Sequence, residues 1–101
     1  MPIYQLAHYQ VKAAATDKVK QAIDEFVSYI QANEAGTQVY LAWQHHDDPT
    51  RFVHVFIFAD EAAQNIHSQS EQVKRFESVY TPELVSTGVD FVDYEMVAGK
   101  R

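Results

Sequence analysis

The stretch Arg51-Phe52-Val53-His54-Val55-Phe56-Ile57-Phe58 constrains this chain more than any other. It is β-branched or aromatic almost throughout and too short for an ordinary helix. It stops at Ala59-Asp60, where a helix start signal begins, so it reads as a strand. A strand this apolar needs cover on both faces, which makes it the central strand of a sheet. Alternation puts Phe52, His54, Phe56 and Phe58 on one face and Val53, Val55 and Ile57 on the other. A lone histidine among three phenylalanines marks the first face as a candidate pocket floor.

The other elements follow from their periods. Ile3 to Lys12 alternates loosely as a first strand, with Tyr4, Leu6, His8 and Gln10 on one face and Ile3, Ala7, Tyr9 and Val11 on the other. Thr16 or Asp17 is placed to cap a helix in which Val19, Ile23, Phe26, Val27 and Ile30 recur at helical spacing. That helix ends at Asn33-Glu34-Ala35-Gly36, where Gly36 suits a positive-φ cap. Thr37 to Gln44 is a second strand, with Val39, Leu41 and Trp43 opposite Tyr40 and Ala42. The polar run His45-His46-Asp47-Asp48-Pro49-Thr50 turns it into the central strand as an antiparallel hairpin. Asp60 caps a short helix through His67, and Ser70 caps another containing Val73, Phe76, Val79 and Tyr80, which Pro82 ends. Val89 to Val97 alternates as a fourth strand, and Ala98 to Arg101 is a tail.

The order βαββαβ is that of a ferredoxin-like plait, an α+β domain over residues 1–101 with a four-stranded antiparallel sheet and helices on one face. The other face is expected to carry Ile3, Val11, Val53, Val55 and Ile57. That is too much contiguous apolar surface for a small monomer, and it predicts a homodimer joined sheet to sheet as an α/β barrel. Trp43 belongs to that interface.

Composition removes several classes. A hydrophobic fraction of 47% excludes disorder, and no apolar run spans a membrane. Met1-Pro2-Ile3-Tyr4-Gln5 has no basic segment before an apolar one, so no secretory signal is expected. With no cysteine there is no disulfide, thiolate metal site or cysteine nucleophile, which fits a cytoplasmic protein. Eight basic and fourteen acidic residues give a net charge of −6, the wrong sign for a nucleic-acid groove. Ser28, Ser70 and Ser86 lack a glycine-flanked elbow, and the three glycines are too scattered for a phosphate loop. The His45 to Asp48 run is a solvated turn rather than a metal site, because adjacent strand residues point to opposite faces.

Asn33-Glu34-Ala35-Gly36-Thr37 with Tyr40, then Asp47-Asp48-Pro49-Thr50-Arg51-Phe52, then Asp60-Glu61-Ala62-Ala63 leading to His67, Ser70 and Phe76, together resemble the antibiotic biosynthesis monooxygenase family over nearly the whole chain. The resemblance implies dimeric α/β barrels acting on quinols or polyketide phenols, with the site between sheet and helices. It implies a floor on the face carrying His8, His54 and Phe58. Many members have Trp at Phe58 and Glu at Phe56 or His8, so this pocket is more apolar and carries histidines instead of carboxylates. The haem-degrading branch has Asn, Trp and a histidine ligand at the positions of His8, Phe58 and Phe76 or Glu77, so no haem or other cofactor is expected.

Cofactor-free oxygenation of a quinol needs a base to form the phenolate, donors to hold the anion and a dry cavity. His8 and His54 suit the base, since imidazole titrates near ~6.5. His67 matches the family pattern as a third catalytic candidate. Tyr4, Leu6, Tyr40, Phe52, Phe56, Phe58 and Phe76 are the expected substrate contacts. Two alternatives stand: an isomerase resembling the autoinducer-2-phosphate isomerases, for which Arg51 is the one cation to test, and a non-catalytic dimer that binds a small hydrophobic ligand.

Overall fold

The central strand lies where its composition puts it, between two neighbours and under the helices. In the computed structural model, which describes residues 1–85 and 88–100, β3 (Arg51–Phe58) pairs antiparallel with both β1 (Ile3–Gln10) and β2 (Thr37–Gln44). β4 (Asp90–Tyr94) pairs antiparallel with β1 on its far side, and the sheet runs β2-β3-β1-β4. Ser86, one of the serines considered above, and Arg101 of the tail lie outside the described residues. Helices α1 (Thr16–Asn33), α2 (Glu61–Ser68) and α3 (Glu71–Tyr80) cover one face of the sheet. The molecule has the α+β, ferredoxin-like fold.

Along β3 burial alternates strictly: Phe52, His54, Phe56 and Phe58 are buried under the helices, while Val53, Val55 and Ile57 are half-buried on the other side. The helices meet this face with Val19, Ile23, Phe26 and Ile30 of α1 and Phe76 and Tyr80 of α3. Phe26 and Phe76 stack with ring centroids 4.8 Å apart, which locks α1 to α3.

Asp60 and Ser70 cap as expected: the Asp60 carboxylate accepts from the Ala63 amide at 2.9 Å, and the Ser70 hydroxyl from Val73 at 3.1 Å. Two local expectations fail. Neither Thr16 nor Asp17 caps α1, because a 3₁₀ turn over Ala13–Ala15 runs straight into the helix and the Thr16 hydroxyl donates back to the Ala13 carbonyl. Gly36 has no positive φ. Its role is close approach, since a Cβ there would lie 2.6 Å from the Ala63 Cβ and push α2 off the chain entering β2.

The largest correction concerns β1. Ala7 faces His54, Tyr9 faces Phe52 and Ile3 faces Phe58, whereas His8 faces Val53 and Leu6 faces Val55. Directly opposed residues share a face, so Ile3, Gln5, Ala7 and Tyr9 lie under the helices. Tyr4, Leu6 and His8 lie on the uncovered face. Val11 is fully buried in the helix-side core beyond the strand end, so neither it nor Ile3 belongs to the open face. The physical reason is burial: Ile3, Ala7, Tyr9 and Val11 are the more apolar half of the strand, and the core takes that half. β4 is also shorter than the expected Val89 to Val97, with no regular structure after Tyr94. Gly88, at φ 136°, supplies the left-handed turn into it.

Candidate functional site

A cavity of about 390 Å³ opens between the helix-covered face of the sheet and helices α2 and α3. Its floor is Ala7 and Tyr9 from β1, Tyr40 from β2, and His54, Phe56 and Phe58 from β3. Its roof is His67 of α2 with Phe76 and Tyr80 of α3, and Phe91 of β4 stands at the side. Among the described residues no lysine or arginine lines it.

Two histidines line this aromatic box. His54 is 2% exposed, and both its ring nitrogens are engaged: Nε2 lies 2.8 Å from the Tyr9 hydroxyl and Nδ1 lies 2.8 Å from the Tyr40 hydroxyl. Burial without any opposite charge pulls its pKa down to about 4, so the ring is neutral at physiological pH. Burial likewise pushes the Tyr9 phenol far above its ordinary range, with the Tyr80 hydroxyl adding to the effect. Tyr40 is raised by burial first, then by Tyr9, Tyr80 and Glu34. The three groups therefore stay uncharged together. Tyr9 is fixed by stacking on Phe52 at 5.5 Å and Tyr80 at 5.3 Å, and Tyr40 by stacking on Phe56 at 5.2 Å.

His67 is held differently. Its Nδ1 lies 2.8 Å from Oε1 of Glu34, a buried carboxylate at the end of α1 that also accepts from the Thr37 hydroxyl at 2.9 Å. Oε2 of Glu34 is buried without a partner, so His67 and Thr37 are the groups that compensate the carboxylate. A carboxylate only accepts, which puts a proton on Nδ1 and leaves Nε2 of the neutral ring unprotonated. Nε2 has no hydrogen-bond partner among the described residues. Rings of Phe58, Phe26 and Tyr40 surround the imidazole at 5.2, 5.6 and 5.6 Å. A carboxylate that orients an imidazole whose second nitrogen is open to a cavity is the arrangement of a general base.

A sequence profile of the antibiotic biosynthesis monooxygenase family matches residues 2–78, over three quarters of the chain. The chain belongs to the antibiotic biosynthesis monooxygenase family. Solved structures agree on the fold. A candidate antibiotic biosynthesis monooxygenase from Bacteroides thetaiotaomicron superimposes with a TM-score of 0.89 at 16% identity, covering 96% of this chain and 90% of that one. An antibiotic biosynthesis monooxygenase that is 23% identical gives 0.86, covering 95% and 99%. A candidate from Nitrosomonas europaea gives 0.86 at 19% identity, covering 95% and 90%. Identities this low establish shared architecture and leave the substrate open. The sequence has no significant match among curated proteins.

In this family member the structure gathers His54, His67, Tyr40, Phe56, Phe58 and Phe76 around one cavity. Phe52 lies beneath it as packing for Tyr9. His8, Tyr4 and Leu6 do not reach it. His8 is exposed on the opposite face of the sheet, opposite Val53 and Asp90, and Tyr4 and Leu6 share that face. Arg51 is outside the cavity too, its guanidinium 3.1 Å from Asp48. The His45 to Thr50 run closes on itself: His45 Nδ1 accepts from the amides of Asp47 and Asp48, and Asp48 accepts from Thr50 and Arg51. Among the described residues no three His, Cys, Asp or Glu side chains converge, and no helix is long and apolar enough to cross a membrane.

Of the site residues absent from the sequence reading, Tyr9 and Glu34 bear most on the chemistry. Tyr9 was on the wrong face of β1, although its flanks Ala7 and Val11 already marked the buried side. Glu34 read only as part of a helix end. The one available signal was a carboxylate three residues before a strand, on the segment that carries the family resemblance.

Proposed function

We propose that this protein is a cofactor-independent monooxygenase of a small aromatic quinol or polyketide-like phenol, with His67 as base and Glu34 as the residue that positions it. The observation that carries this reading is the Glu34–His67 pair, whose second imidazole nitrogen is unengaged in an aromatic cavity. Nε2 takes the phenolic proton and leaves an electron-rich phenolate. Dioxygen accepts one electron from it, the resulting radical pair combines into a carbon–oxygen bond, and the peroxide anion takes back the proton held on Nε2 to become a hydroperoxide. Loss of water then gives the carbonyl, so one oxygen atom enters the product and the other leaves as water, and the substrate supplies all four electrons. Phe56, Phe58 and Phe76 wall the ring plane and exclude water that would quench the radicals. A phosphorylated substrate, as in the isomerase reading, is disfavoured by a lining that, among the described residues, has no lysine or arginine.

The test is oxygen uptake by metal-free protein given naphthoquinols and anthrones, measured against autoxidation alone. Uptake several-fold above background with carbonyl product supports the reading. Uptake at background, with the same compounds protecting the protein from heat, moves the assignment to a ligand-binding protein.

The uncovered sheet face supports a homodimer as part of the same reading. Trp43 is 54% exposed and Leu41 45%, beside half-buried Val53, Val55 and Ile57. A contiguous apolar face of this kind is what a second copy covers. Trp43→Arg is expected to shift the particle mass from dimer to monomer in sedimentation. A wild-type protein that sediments as a monomer at micromolar concentration contradicts the dimer.

A further inference from the structure

Counting protons in the Tyr9–His54–Tyr40 group gives a result that does not depend on the tautomer. A neutral imidazole has one N–H and one lone pair, and each tyrosine has one O–H. Both ring nitrogens are bonded to tyrosine hydroxyls at 2.8 Å, so one tyrosine donates to the ring and the other accepts from it. The accepting tyrosine keeps its own O–H proton, and the donating tyrosine keeps a free oxygen lone pair. Neither hydroxyl has a further partner among the described residues, and both tyrosines line the cavity. The group therefore shows the cavity one donor and one acceptor.

We infer that Tyr9, His54 and Tyr40 work as one uncharged relay that selects a ligand bearing both a hydroxyl and a second oxygen acceptor, and that passes a proton between them. When the ligand hydroxyl gives its proton to the Tyr9 oxygen, the Tyr9 proton moves to Nε2. The Nδ1 proton then moves to Tyr40, and the Tyr40 proton moves to the ligand's acceptor oxygen. One proton enters and one leaves, and the ring ends in its other tautomer without gaining charge. The reverse movement runs equally well. His54 is then a relay, distinct from the base His67. The inference rests on the cavity being the substrate site, and it narrows that substrate to a phenol or enol with a second oxygen.

The test is binding without turnover, measured anaerobically by calorimetry, with 4-methoxy-1-naphthol and 1,4-dimethoxynaphthalene as probes. The two have nearly the same shape, and only the first offers a donor. Wild-type protein is expected to bind the naphthol at least about fivefold more tightly, the order of one net hydrogen bond. The double variant Tyr9→Phe/Tyr40→Phe keeps the ring stacking and is expected to abolish that preference, bringing the ratio of the two dissociation constants to about one. Either single variant leaves one hydroxyl that still accepts from the ligand, so each is expected to keep part of the preference. A purely structural role would weaken both probes equally and leave the ratio intact. Equal wild-type affinity for the two probes, binding of neither, or a preference that survives intact in the double variant overturns the inference. Oxygen is excluded from the assay, so loss of the relay and loss of the monooxygenase reading are separate results.

Discussion

His54 and His67 occupy the same aromatic box and are held in opposite ways. His54 spends both nitrogens on neutral phenols, in the driest part of the sheet, and burial holds its pKa at about 4. His67 spends one nitrogen on a carboxylate and keeps the other unengaged. In the sequence both are catalytic candidates, His54 by its place among phenylalanines on the central strand and His67 only by its match to the family pattern. What separates them is the partner: a phenol can give or take a proton and makes its histidine a conduit, whereas a carboxylate can only accept and makes its histidine a base. A histidine's role is thus read from what holds it.

The largest effect that sharpens this contrast is on stability. His54→Ala removes a fully buried ring and strands two tyrosine hydroxyls, and it is expected to cost about 3–5 kcal/mol in urea unfolding. A cost under ~1 kcal/mol would mean that the phenols do not depend on the ring. Acid comes next. The folded pKa of His54 is lowered below the unfolded value, so the unfolded chain binds the extra proton first. The neutral ring's contribution is therefore intact above about pH 6.5 and is lost as pH falls toward about 4. Stability should drop by roughly 3 kcal/mol across that window beyond any loss in His54→Phe. Parallel curves for the two proteins would break the assignment. Glu34→Gln is the subtler change, since the amide keeps a hydrogen-bond partner for His67 and removes its charge. Turnover should fall by about one to two orders of magnitude, the range seen when an orienting partner is lost. Binding of 4-methoxy-1-naphthol should stay within about twofold, and a parallel loss of binding would give Glu34 a structural role only.

The fold was legible because its signals are local and redundant. β3 announces a central strand by composition, Asp60 and Ser70 announce helix starts by chemistry, and βαββαβ leaves few ways to pair. The aromatic half of the site was legible for the same reason, since the parity of β3 is unambiguous. The parity of β1 was not. Each of its faces carries apolar residues, and the floor that the family resemblance implies, with His8 beside His54, runs against the better guide, the apolarity of Ile3, Ala7, Tyr9 and Val11. Glu34 was out of reach because its partner His67 is 33 positions away, and only packing of α2 against the connection between α1 and β2 brings them together. Gly36 is legible only afterwards, as the residue that lets Ala63 come close enough for that contact.

Oxygen uptake on a naphthoquinol by wild-type, His67→Gln and His8→Gln proteins tests the assignment most directly. With His67 as base, the His67 variant loses about 10²-fold or more in rate, and the His8 variant, altered on the far face of the sheet, stays within about twofold of wild type. A His67 variant that keeps its rate, or a His8 variant that loses it, contradicts the assignment.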